Sequence, residues 1–327
     1  MERPCVRVAR EDGERTRTRL AEAGVLDADH DIVAADGHLY LPVEDADAVP
    51  ADLDVRRHEV PARPGQRTPD DLLGWEPTYE RIGDVVALDE ADPERARAAA
   101  EAVMESDLPA ATVVNRASPV RGDLRIREWD VLAGDGTETV HREYGFEYLV
   151  DIAEVYFSPR LATDRHLVAE RVEEGEFAVD MFAGVGPFAI PFAAAGAEVV
   201  AVDLNPAAVR YCRENARRNG VADRVTAVEG DVRAVADEYA DVADRLVMNL
   251  PHSADEFLDA ALVLAGDDCT VHYYDIRNED DPFGPGRRAI ADAAATAGYD
   301  ATVTDERVVR SYAPHELNVR LDVRLTR

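Results

Sequence analysis

The sequence contains no lysine, and all 36 of its basic residues are arginine. Against them stand 67 acidic residues, which give a formal net charge of −31. An acid excess with arginine in place of lysine is typical of adaptation to very high salt, where a carboxylate-covered surface stays hydrated. A disordered acidic tail would instead need low hydrophobicity and clustered charge. Because 46% of the residues are hydrophobic and the acids are scattered, the composition predicts a folded, haloadapted protein.

Cysteine is also scarce, since only Cys5, Cys212 and Cys269 occur. They lie far apart without metal-ligand spacing, which predicts no metal site and a reducing, cytoplasmic setting. Cys212 is expected to be a core residue rather than a nucleophile. No apolar run approaches the roughly 20 residues of a membrane span, and the first ten residues are too charged for a signal peptide. We therefore expect no contact with a membrane.

The negative charge does not exclude nucleic acid as a partner. Phosphate binding needs a positive face, and an acidic protein normally lacks one. A global charge that is set by the solvent, however, says little about a single local patch. The net charge therefore says little about whether the protein binds nucleic acid.

Composition and periodicity predict two small α+β domains before residue 151. Residues 1–62 form the first, residues 63–72 are a Pro/Gly-rich polar linker, and residues 73–150 form the second. The elements expected in the first are strands Pro4–Val8, His38–Pro42 and Val55–Val60 and helix Glu11–Ala23. Those expected in the second are strands Arg81–Ala87 and Thr112–Asn115, helix Pro93–Met104 capped by Asp92, and a hairpin of Thr139–Glu143 with Phe146–Val150.

From residue 151 to 327 apolar runs alternate with amphipathic helices, which predicts an α/β domain with a mostly parallel, Rossmann-like sheet. The expected parallel strands are Phe177–Phe182, Val199–Val202, Val225–Val228, Leu246–Met248 and Thr270–Tyr274. Ala301–Tyr312 and Asn318–Leu325 are joined by a short connection, which suits an antiparallel hairpin at the sheet edge.

The strongest local signal is the segment Asp180–Phe188, where a buried strand ends in a turn with Gly184 and Gly186 before a helix. The glycines let the backbone approach a ligand closely, and the helix N-terminus offers free amide donors. A glycine pair alone is weak evidence, because any tight turn from a strand into a helix can use it.

Polar residues after the next three strands strengthen this signal. Asp203 can accept both ribose hydroxyls of a nucleoside, Asp231 can receive the amine of an adenine, and Asn249 opens the element Asn-Leu-Pro-His. All lie at the carboxyl ends of strands, where open α/β sheets bind ligands. NAD would use the first two features, but Asp180 at the start of the glycine motif and the Asn-x-Pro element favour S-adenosylmethionine (AdoMet). The predicted cofactor contacts are Asp180, Phe182, Ala183, Gly184, Gly186, Phe188, Asp203, Leu204, Asp231, Val232 and Asn249.

Asn249-Leu-Pro-His252 resembles the Asn/Asp-Pro-Pro-aromatic element of amino-group methyltransferases. In that element the Asn side chain accepts a hydrogen bond from the target nitrogen. Leu250 and His252 depart from the pattern, which argues against adenine-N6 or glutamine-amide methylation. His252 could serve as a base, although a surface histidine is the simpler interpretation.

Together these segments resemble one family, the tRNA (guanine(37)-N1)-methyltransferases of archaea and eukaryotes, and most closely an archaeal subgroup with an extra N-terminal domain. The segments that carry the resemblance are Val155–Leu161, Asp180–Phe188, Asn249–Pro251, Glu256–Leu258 and Arg310–Pro314. Relatives that transfer the aminocarboxypropyl group of AdoMet in wyosine synthesis look more like Phe-Ser-Pro-Gly-Asn and Gly-Ile-Gly-Tyr-Phe in the first two segments.

The resemblance implies a class I methyltransferase sheet and transfer of a methyl group from AdoMet to N1 of guanine 37 of tRNA. Residues 1–62 would touch the outer corner of the tRNA, and the rest would hold the anticodon loop with the target base swung out. We expect a monomer. The rival functions are a wyosine-pathway enzyme of the same fold, transferring an aminocarboxypropyl group or a second methyl group, and a non-catalytic RNA-binding protein with a vestigial AdoMet site.

The resemblance also assigns roles at the target base. Arg125 matches an arginine on the guanine oxygen, with Arg127 as the alternative, and either could simply be solvated or salt-bridged. Tyr156 and Pro251 would form walls of the pocket, and Asn249 would bind the guanine edge.

Asp164 falls where the family carries a glutamate that is proposed as the general base. It is one methylene shorter than that residue. Asp164 could instead cap a helix over Arg165–Val172.

Overall fold

The computed structural model describes residues 2–63, 65–119, 122 and 124–327. The chain divides into two compact units, one up to Arg67 and one from Thr68 onwards. In the described part of the chain, no helix is long and apolar enough to cross a membrane.

The first unit is a four-stranded antiparallel sheet with one helix. Its elements are β1 (Glu2–Ala9), α1 (Gly13–Glu22), β2 (Val33–Ala35), β3 (His38–Pro42) and β4 (Asp54–Glu59), with the 3-10 turn Arg10–Asp12 before α1. The strand order is β2-β3-β1-β4. Its small core contains Val6, Leu20 and Leu41, which are fully buried. The three predicted strands and the helix are confirmed, and β2 is an additional strand.

The second unit begins with a mixed sheet and a separate hairpin. Its first elements are α2 (Pro69–Leu73), β5 (Tyr79–Ile82), β6 (Val85–Leu88), α3 (Pro93–Glu105), β7 (Thr112–Arg116), β8 (Trp129–Ala133), β9 (Glu138–Glu143) and β10 (Phe146–Asp151). The sheet has the order β5-β6-β7-β8, and β9 pairs with β10. The predicted cap of α3 is confirmed, because Asp92 accepts a hydrogen bond from the Glu94 amide at 2.9 Å.

Two expectations in this region are corrected. The single strand predicted over Arg81–Ala87 is a hairpin of β5 and β6 that turns at Gly83. Gly83 has φ +59°, and a Cβ there would lie 2.6 Å from the Val140 carbonyl oxygen, so glycine is required. The end of the predicted linker forms α2, because Thr68 caps that helix through the Asp71 amide.

The main sheet of the second unit has seven strands. The remaining elements are α4 (Ala162–Ala169), β11 (Phe177–Asp180), α5 (Ala189–Ala194), β12 (Glu198–Asp203), α6 (Pro206–Arg218), β13 (Val225–Glu229), α7 (Val232–Val235), β14 (Ala243–Met248), α8 (Leu258–Leu264), β15 (Ala265–Asn278), α9 (Gly284–Ala297), β16 (Asp300–Ala313) and β17 (Glu316–Thr326). Short 3-10 turns cover Pro159–Leu161, Ala236–Tyr239 and Ala254–Phe257.

The strand order of this sheet is β13-β12-β11-β14-β15-β17-β16. The first five strands are parallel, and β17 pairs antiparallel with both β15 and β16. Buried apolar clusters cover both faces of the sheet. The predicted α/β class, the parallel direction of the first five strands and the antiparallel edge hairpin are therefore confirmed. Every strand end that carries a predicted site residue opens on the same edge.

Candidate active site

A cleft of about 640 Å³ lies at the carboxyl ends of the parallel strands in the second unit. The turn after β11 and the ends of β12, β13 and β14 line it. The β16–β17 hairpin lines it too, together with Gly122, Leu124, Arg125, Tyr156, Phe157, Ser158 and Leu161. The sheet thus gathers into one cleft residues that are up to 196 positions apart, as from Gly122 to Asn318.

The glycine turn after β11 is held in a conformation that larger residues would oppose. Gly184 and Gly186 have φ values of +53° and +93°. A Cβ on Gly186 would lie 3.0 Å from the Cys212 sulfur and 3.1 Å from Ile190 Cδ1. Cys212 is buried beneath this turn, which supports its interpretation as a core residue. The close packing leaves the backbone of the turn as the wall of the cleft.

Asp203 at the end of β12 fixes the glycine turn and lines the cleft. Its carboxylate accepts the Gly184 amide at 2.6 Å and the Asn205 amide at 2.8 Å. Burial raises the pKa of Asp203 above its ordinary range. Each carboxylate oxygen can accept further bonds, so the group can receive the two hydroxyls of a ribose.

Asp180 lies beneath the turn and does not line the cleft. It is 1% exposed; its Oδ1 accepts the Phe182 amide at 3.3 Å, and its Oδ2 has no hydrogen-bond partner among the described residues. Burial, with a smaller contribution from the nearby charge of Asp203, raises the pKa of Asp180 from 3.8 to about 7. Its direct contact with a cofactor remains a prediction, whereas its support of the turn is visible.

The raised pKa of Asp180 predicts a pH-dependent stability. Between about pH 4 and 7 the folded protein keeps a proton that the unfolded chain has released, so stability falls as pH rises through that window. Asp180→Asn removes this penalty while its oxygen can still accept the Phe182 amide. We expect the stability gained by Asp180→Asn to grow by about 1–2 kcal/mol between pH 5.5 and pH 8 in urea unfolding. The exposed Asp223→Asn is the control, and a gain independent of pH would contradict the assignment.

Asp231 lines the cleft at the end of β13 but is already engaged. It caps α7 through the Arg233 amide at 2.9 Å, and the Arg233 guanidinium binds its carboxylate at 3.0 Å. That hydrogen bond holds the pKa of Asp231 below its usual range. The predicted acceptance of an adenine amine would therefore be shared with Arg233.

Apolar side chains surround the part of the cleft that lies next to the glycine turn. Phe182 meets Phe257 edge to face at a ring-centroid distance of 4.9 Å, and the Arg233 guanidinium lies 4.6 Å from the Phe257 ring centroid. Leu204 is half exposed at the edge. The other predicted lining residues are Ala183, Gly184, Gly186, Phe188 and Val232, and of these the cleft lining includes Ala183, Gly184, Phe188 and Val232. Phe257 and Arg233 had no predicted role, although Phe257 lies in the segment Glu256–Leu258.

At the other half of the cleft, Asn249, Pro251, Arg125 and Tyr156 lie together. Arg125 Nη1 donates to the Pro251 carbonyl oxygen at 3.3 Å, although the two residues are 126 positions apart. The Arg125 guanidinium lies 5.2 Å from the centroid of the Tyr156 ring. Asn249 Oδ1 is buried and has no hydrogen-bond partner among the described residues. These four groups place a cation, an aromatic face and an amide acceptor around one space.

Arg127, the alternative to Arg125, does not line this cleft. Its guanidinium lies 5.3 Å from the Trp129 ring centroid, in a separate groove. His252 lines the cleft, is exposed, and packs edge to face against Tyr312 at 5.4 Å. The geometry therefore favours Arg125 over Arg127.

Comparisons with known proteins give the same assignment. Residues 139–301 match the family model described as the TRM5/TYW2 methyltransferase domain, and residues 5–49 match the tRNA methyltransferase 5 N-terminal domain. Trm5b of Pyrococcus abyssi, a tRNA (guanine(37)-N(1))-methyltransferase, is 37% identical over 98% of this chain and 99% of its own. The chain belongs to the Trm5 family.

Solved structures of Trm5 proteins share the whole architecture. The crystal structure of P. abyssi Trm5b superposes with a TM-score of 0.72 at 36% identity, covering 99% of this chain and 100% of that one. A complex of aTrm5 with tRNALeu superposes with a TM-score of 0.71 at 30% identity, covering 98% and 99%. The predicted family resemblance is thus confirmed along the full length.

The aminocarboxypropyltransferase of Pyrococcus horikoshii is similar over a shorter span. It is 32% identical and covers 79% of this chain and 92% of its own. The Trm5 N-terminal domain at residues 5–49 is matched in addition to the methyltransferase domain. The comparisons therefore support the Trm5 assignment more than the wyosine-pathway alternative.

Asp164, like Asp180 and Gly186, is a predicted site residue that does not line the cleft. It lies within α4, is 4% exposed and does not line the cleft. Its Oδ1 accepts Arg320 Nη1 at 2.5 Å and lies 3.2 Å from Arg307 Nε, and its Oδ2 accepts the Tyr274 hydroxyl at 2.6 Å. Both oxygens are thus occupied by buried partners. Asp164 therefore has no contact with the cleft in this structure, and its role as the base remains a prediction.

The capping interpretation of Asp164 is wrong. α4 begins at Ala162, two residues before Asp164, and none of the described side chains caps it. Arg165, the next residue, is also buried and binds Glu143 through both Nε and Nη2. Asp164 therefore belongs to a cluster with Arg320, Arg307 and Tyr274, hereafter the Asp164 cluster.

Proposed function

We propose that this chain is a cytoplasmic monomer that transfers a methyl group from AdoMet to N1 of guanine 37 of tRNA. The observation that carries the proposal is the contact of Arg125 with the Pro251 carbonyl beside Asn249 and Tyr156, in the cleft that the glycine turn also lines. Full-length similarity to Trm5b proteins supports the same target.

The glycine-turn half of the cleft fits AdoMet. The tight turn at Gly184 and Gly186 would face the cofactor with its backbone, Asp203 would accept the ribose hydroxyls, and Asp231 would receive the adenine amine. Relatives of known structure include a Methanocaldococcus jannaschii TYW2 in complex with AdoMet. When bound, AdoMet supplies a methyl group on a sulfonium, which needs positioning rather than further activation.

The Arg125 half of the cleft fits a guanine that has left its stack. Tyr156 is 41% exposed and offers a face for the base, as flipped bases require. Arg125 would stabilise the negative charge that develops on the guanine oxygen as N1 loses its proton. Asn249 Oδ1, which is buried without a partner in the described structure, would accept a hydrogen bond from the guanine edge.

A direct test is mass mapping of a tRNA transcript after incubation with the protein and AdoMet. We expect one added methyl group, located at N1 of guanine 37, and none on a matched transcript with adenine at position 37. An aminocarboxypropyl adduct on a wyosine-precursor tRNA would instead support the alternative enzyme. Tight tRNA binding without any product would support the non-catalytic alternative.

The N-terminal unit is proposed to select tRNA at its outer corner. Deleting residues 1–67 should leave AdoMet affinity within about twofold, because every proposed cofactor contact lies in the unit that begins at Thr68. We expect tRNA affinity to fall at least tenfold, while the single-turnover rate at saturating tRNA changes less. Equal tRNA affinity for the full-length and shortened proteins would assign this unit another role.

If the composition reflects adaptation to high salt, methylation activity should depend on salt in an unusual way. The net charge of −31 should repel tRNA at low salt, and molar salt weakens ordinary phosphate contacts. Recognition should therefore depend more on shape, stacking and local arginines such as Arg125. We expect methylation to persist or rise into the molar range of KCl. An activity optimum near 0.1 M KCl, in protein shown by circular dichroism to be folded there, would contradict it.

A further inference from the structure

A second groove, of about 560 Å³ and separate from the cleft, contains the arginine that the target half of the cleft does not use. Its lining includes Ile126, Arg127, Trp129, Val131 and Ala153, and it is hereafter the Trp129 groove. The volume lies in the range of roughly 300–1,000 Å³ that ligand sites occupy. The groove therefore has room for a ligand of the size of a nucleotide.

Two chain segments lead from the cleft into the Trp129 groove. In the first, Arg125 lines the cleft and Arg127, two positions later, lines the groove. In the second, Ala153 lines the groove and Tyr156, three positions later, lines the cleft. Two residues of chain span at most about 7 Å, so the backbones of the two arginines are close together. A nucleotide that adjoins a base held at Arg125 is thus within reach of the groove.

Trp129 gives the groove an aromatic surface of fixed orientation. Its Nε1 donates a hydrogen bond to the Ile152 carbonyl oxygen at 2.8 Å. The Arg127 guanidinium lies 5.3 Å from the centroid of the Trp129 ring, and Val131 adds an apolar side chain that is 48% exposed. Proteins bind single-stranded nucleic acid with a cation beside an aromatic face of this kind. The groove therefore offers the two kinds of contact that a nucleotide requires.

Arg127 is a half-buried cation that forms no salt bridge and no hydrogen bond among the described residues. The acids nearby are already engaged, since Arg116 binds Glu80 at 3.5 Å and also binds Asp89, and Arg160 binds Glu80 at 3.0 Å. Burial lowers the pKa of Arg127 below its ordinary value, and the positive charge of Arg116 lowers it further. A partly buried charge without a counterion is unfavourable, so the site favours an incoming anion.

A backbone phosphate is the anion that the position of Arg127 favours. The nucleotides on either side of a flipped base carry phosphates, and the planar guanidinium binds phosphate through paired hydrogen bonds. The contact with Trp129 orients the Arg127 guanidinium and leaves its N–H donors for a ligand. Salt screens a partly buried pair less than an exposed one. Such a contact would therefore persist at the high salt concentrations that the composition of the chain indicates.

We propose that Arg127 binds a backbone phosphate of a nucleotide that adjoins the target guanine, and that the Trp129 groove holds this nucleotide. The proposal rests on the proposed function. It makes Arg127 a residue that binds the anticodon loop, whereas Arg125 faces the base itself. Arg127 should accordingly contribute to tRNA affinity and little to the rate of methyl transfer.

The test uses tRNA in which single phosphates on either side of the target nucleotide and of its two neighbours are replaced by uncharged methylphosphonates, one at a time. At one of these linkages the wild type should lose about 10- to 100-fold in tRNA affinity. Arg127→Gln should lose a similar factor on unmodified tRNA and nothing more at that linkage. Arg127→Lys keeps the charge and should retain part of the affinity and the sensitivity to that linkage. Arg97→Gln, which removes an exposed arginine of α3, is the control and should behave like the wild type.

Three further measurements separate phosphate binding from a structural role. Arg127→Gln should make the slope of log tRNA affinity against log KCl concentration less steep by about 0.7, the value for one phosphate contact on a single strand. Its melting temperature should match that of the wild type, because no salt bridge of the folded state is lost. Its single-turnover rate at saturating tRNA should stay within about threefold.

The outcomes distinguish this inference from the function on which it rests. An unchanged tRNA affinity of Arg127→Gln, additive losses of the variant and the uncharged linkage at every position, or a loss of rate without a loss of affinity would each overturn the role of Arg127. If Arg127→Gln does not fold, a lysine variant that no longer responds to any linkage would overturn it equally. A wild type that shows the expected sensitivity to one linkage but methylates no guanine would refute the proposed function and retain the phosphate contact.

Discussion

Replacing Asp203 with alanine is expected to weaken AdoMet binding by about 10²–10⁴-fold. Two ribose hydroxyls would lose a charged acceptor, and each such bond contributes roughly 1.5–3 kcal/mol. The same carboxylate holds the Gly184 and Asn205 amides, so the glycine turn would also lose its anchor. Both effects act on the cofactor half of the cleft and leave the Arg125 half in place.

Isothermal titration with AdoMet measures this loss without depending on activity. Asp223→Ala is the matched control, because it removes one exposed carboxylate from the same unit and should bind AdoMet like the wild type. Circular dichroism establishes that the Asp203 variant is folded. Unchanged AdoMet affinity in that folded variant would remove Asp203 from the binding site.

The cofactor half of the cleft could be predicted from the sequence because its signals are local. Each feature can be located from its own stretch of sequence. These features are a continuous apolar strand, two glycines at the following turn and an acid at the end of the next strand. The parallel sheet then brings the strand ends to one edge without further information. Gly186 illustrates this, since the positive φ and the tight packing on Cys212 both follow from a turn of this kind.

The target half depends on contacts that the local sequence does not encode. Arg125 is one of two arginines in an extended segment, and only its contact with Pro251 distinguishes it from Arg127. The family resemblance supplied the expected role of Arg125, and the fold supplied its contact with Pro251.

Charged residues in β17 explain why the sequence did not reveal the partners of Asp164. Arg320 and Asp322 alternate with apolar residues, a pattern that normally indicates one solvent-exposed face. Here that face is buried, because Asp164, His272 and Arg171 pair with the charged side chains. Such pairing joins residues 50 to 156 positions apart, so it becomes visible only in the folded chain.

The effect of Asp164→Asn on stability is expected to show whether Asp164 has a structural or a catalytic role. Asp164→Asn would remove the charge that Arg320 faces, and the Arg320 side chain is 0% exposed. Breaking a buried ion pair by removing one partner costs roughly 3–5 kcal/mol, which corresponds to a melting temperature lower by about 6–20 °C in a unit of this size. Asp305→Asn is the matched control, because Asp305 is paired with Arg171 but is 41% exposed, so its loss should cost less than about 1 kcal/mol.

A base in contact with the guanine would give the opposite pattern. Asp164→Asn would then keep its melting temperature and lose about 10²–10⁴-fold in single-turnover rate, with part of the rate restored at high pH. Asp164→Glu also discriminates, because a longer side chain would reach toward a substrate but would crowd Arg320 and Tyr274 in the closed cluster. Asp164 is buried, lies outside the cleft lining and is bonded through both oxygens. We therefore expect Asp164→Asn to lower the melting temperature more clearly than the single-turnover rate of the folded protein. A fully stable, inactive Asp164→Asn variant would support Asp164 as the base and require the Asp164 cluster to open during the reaction.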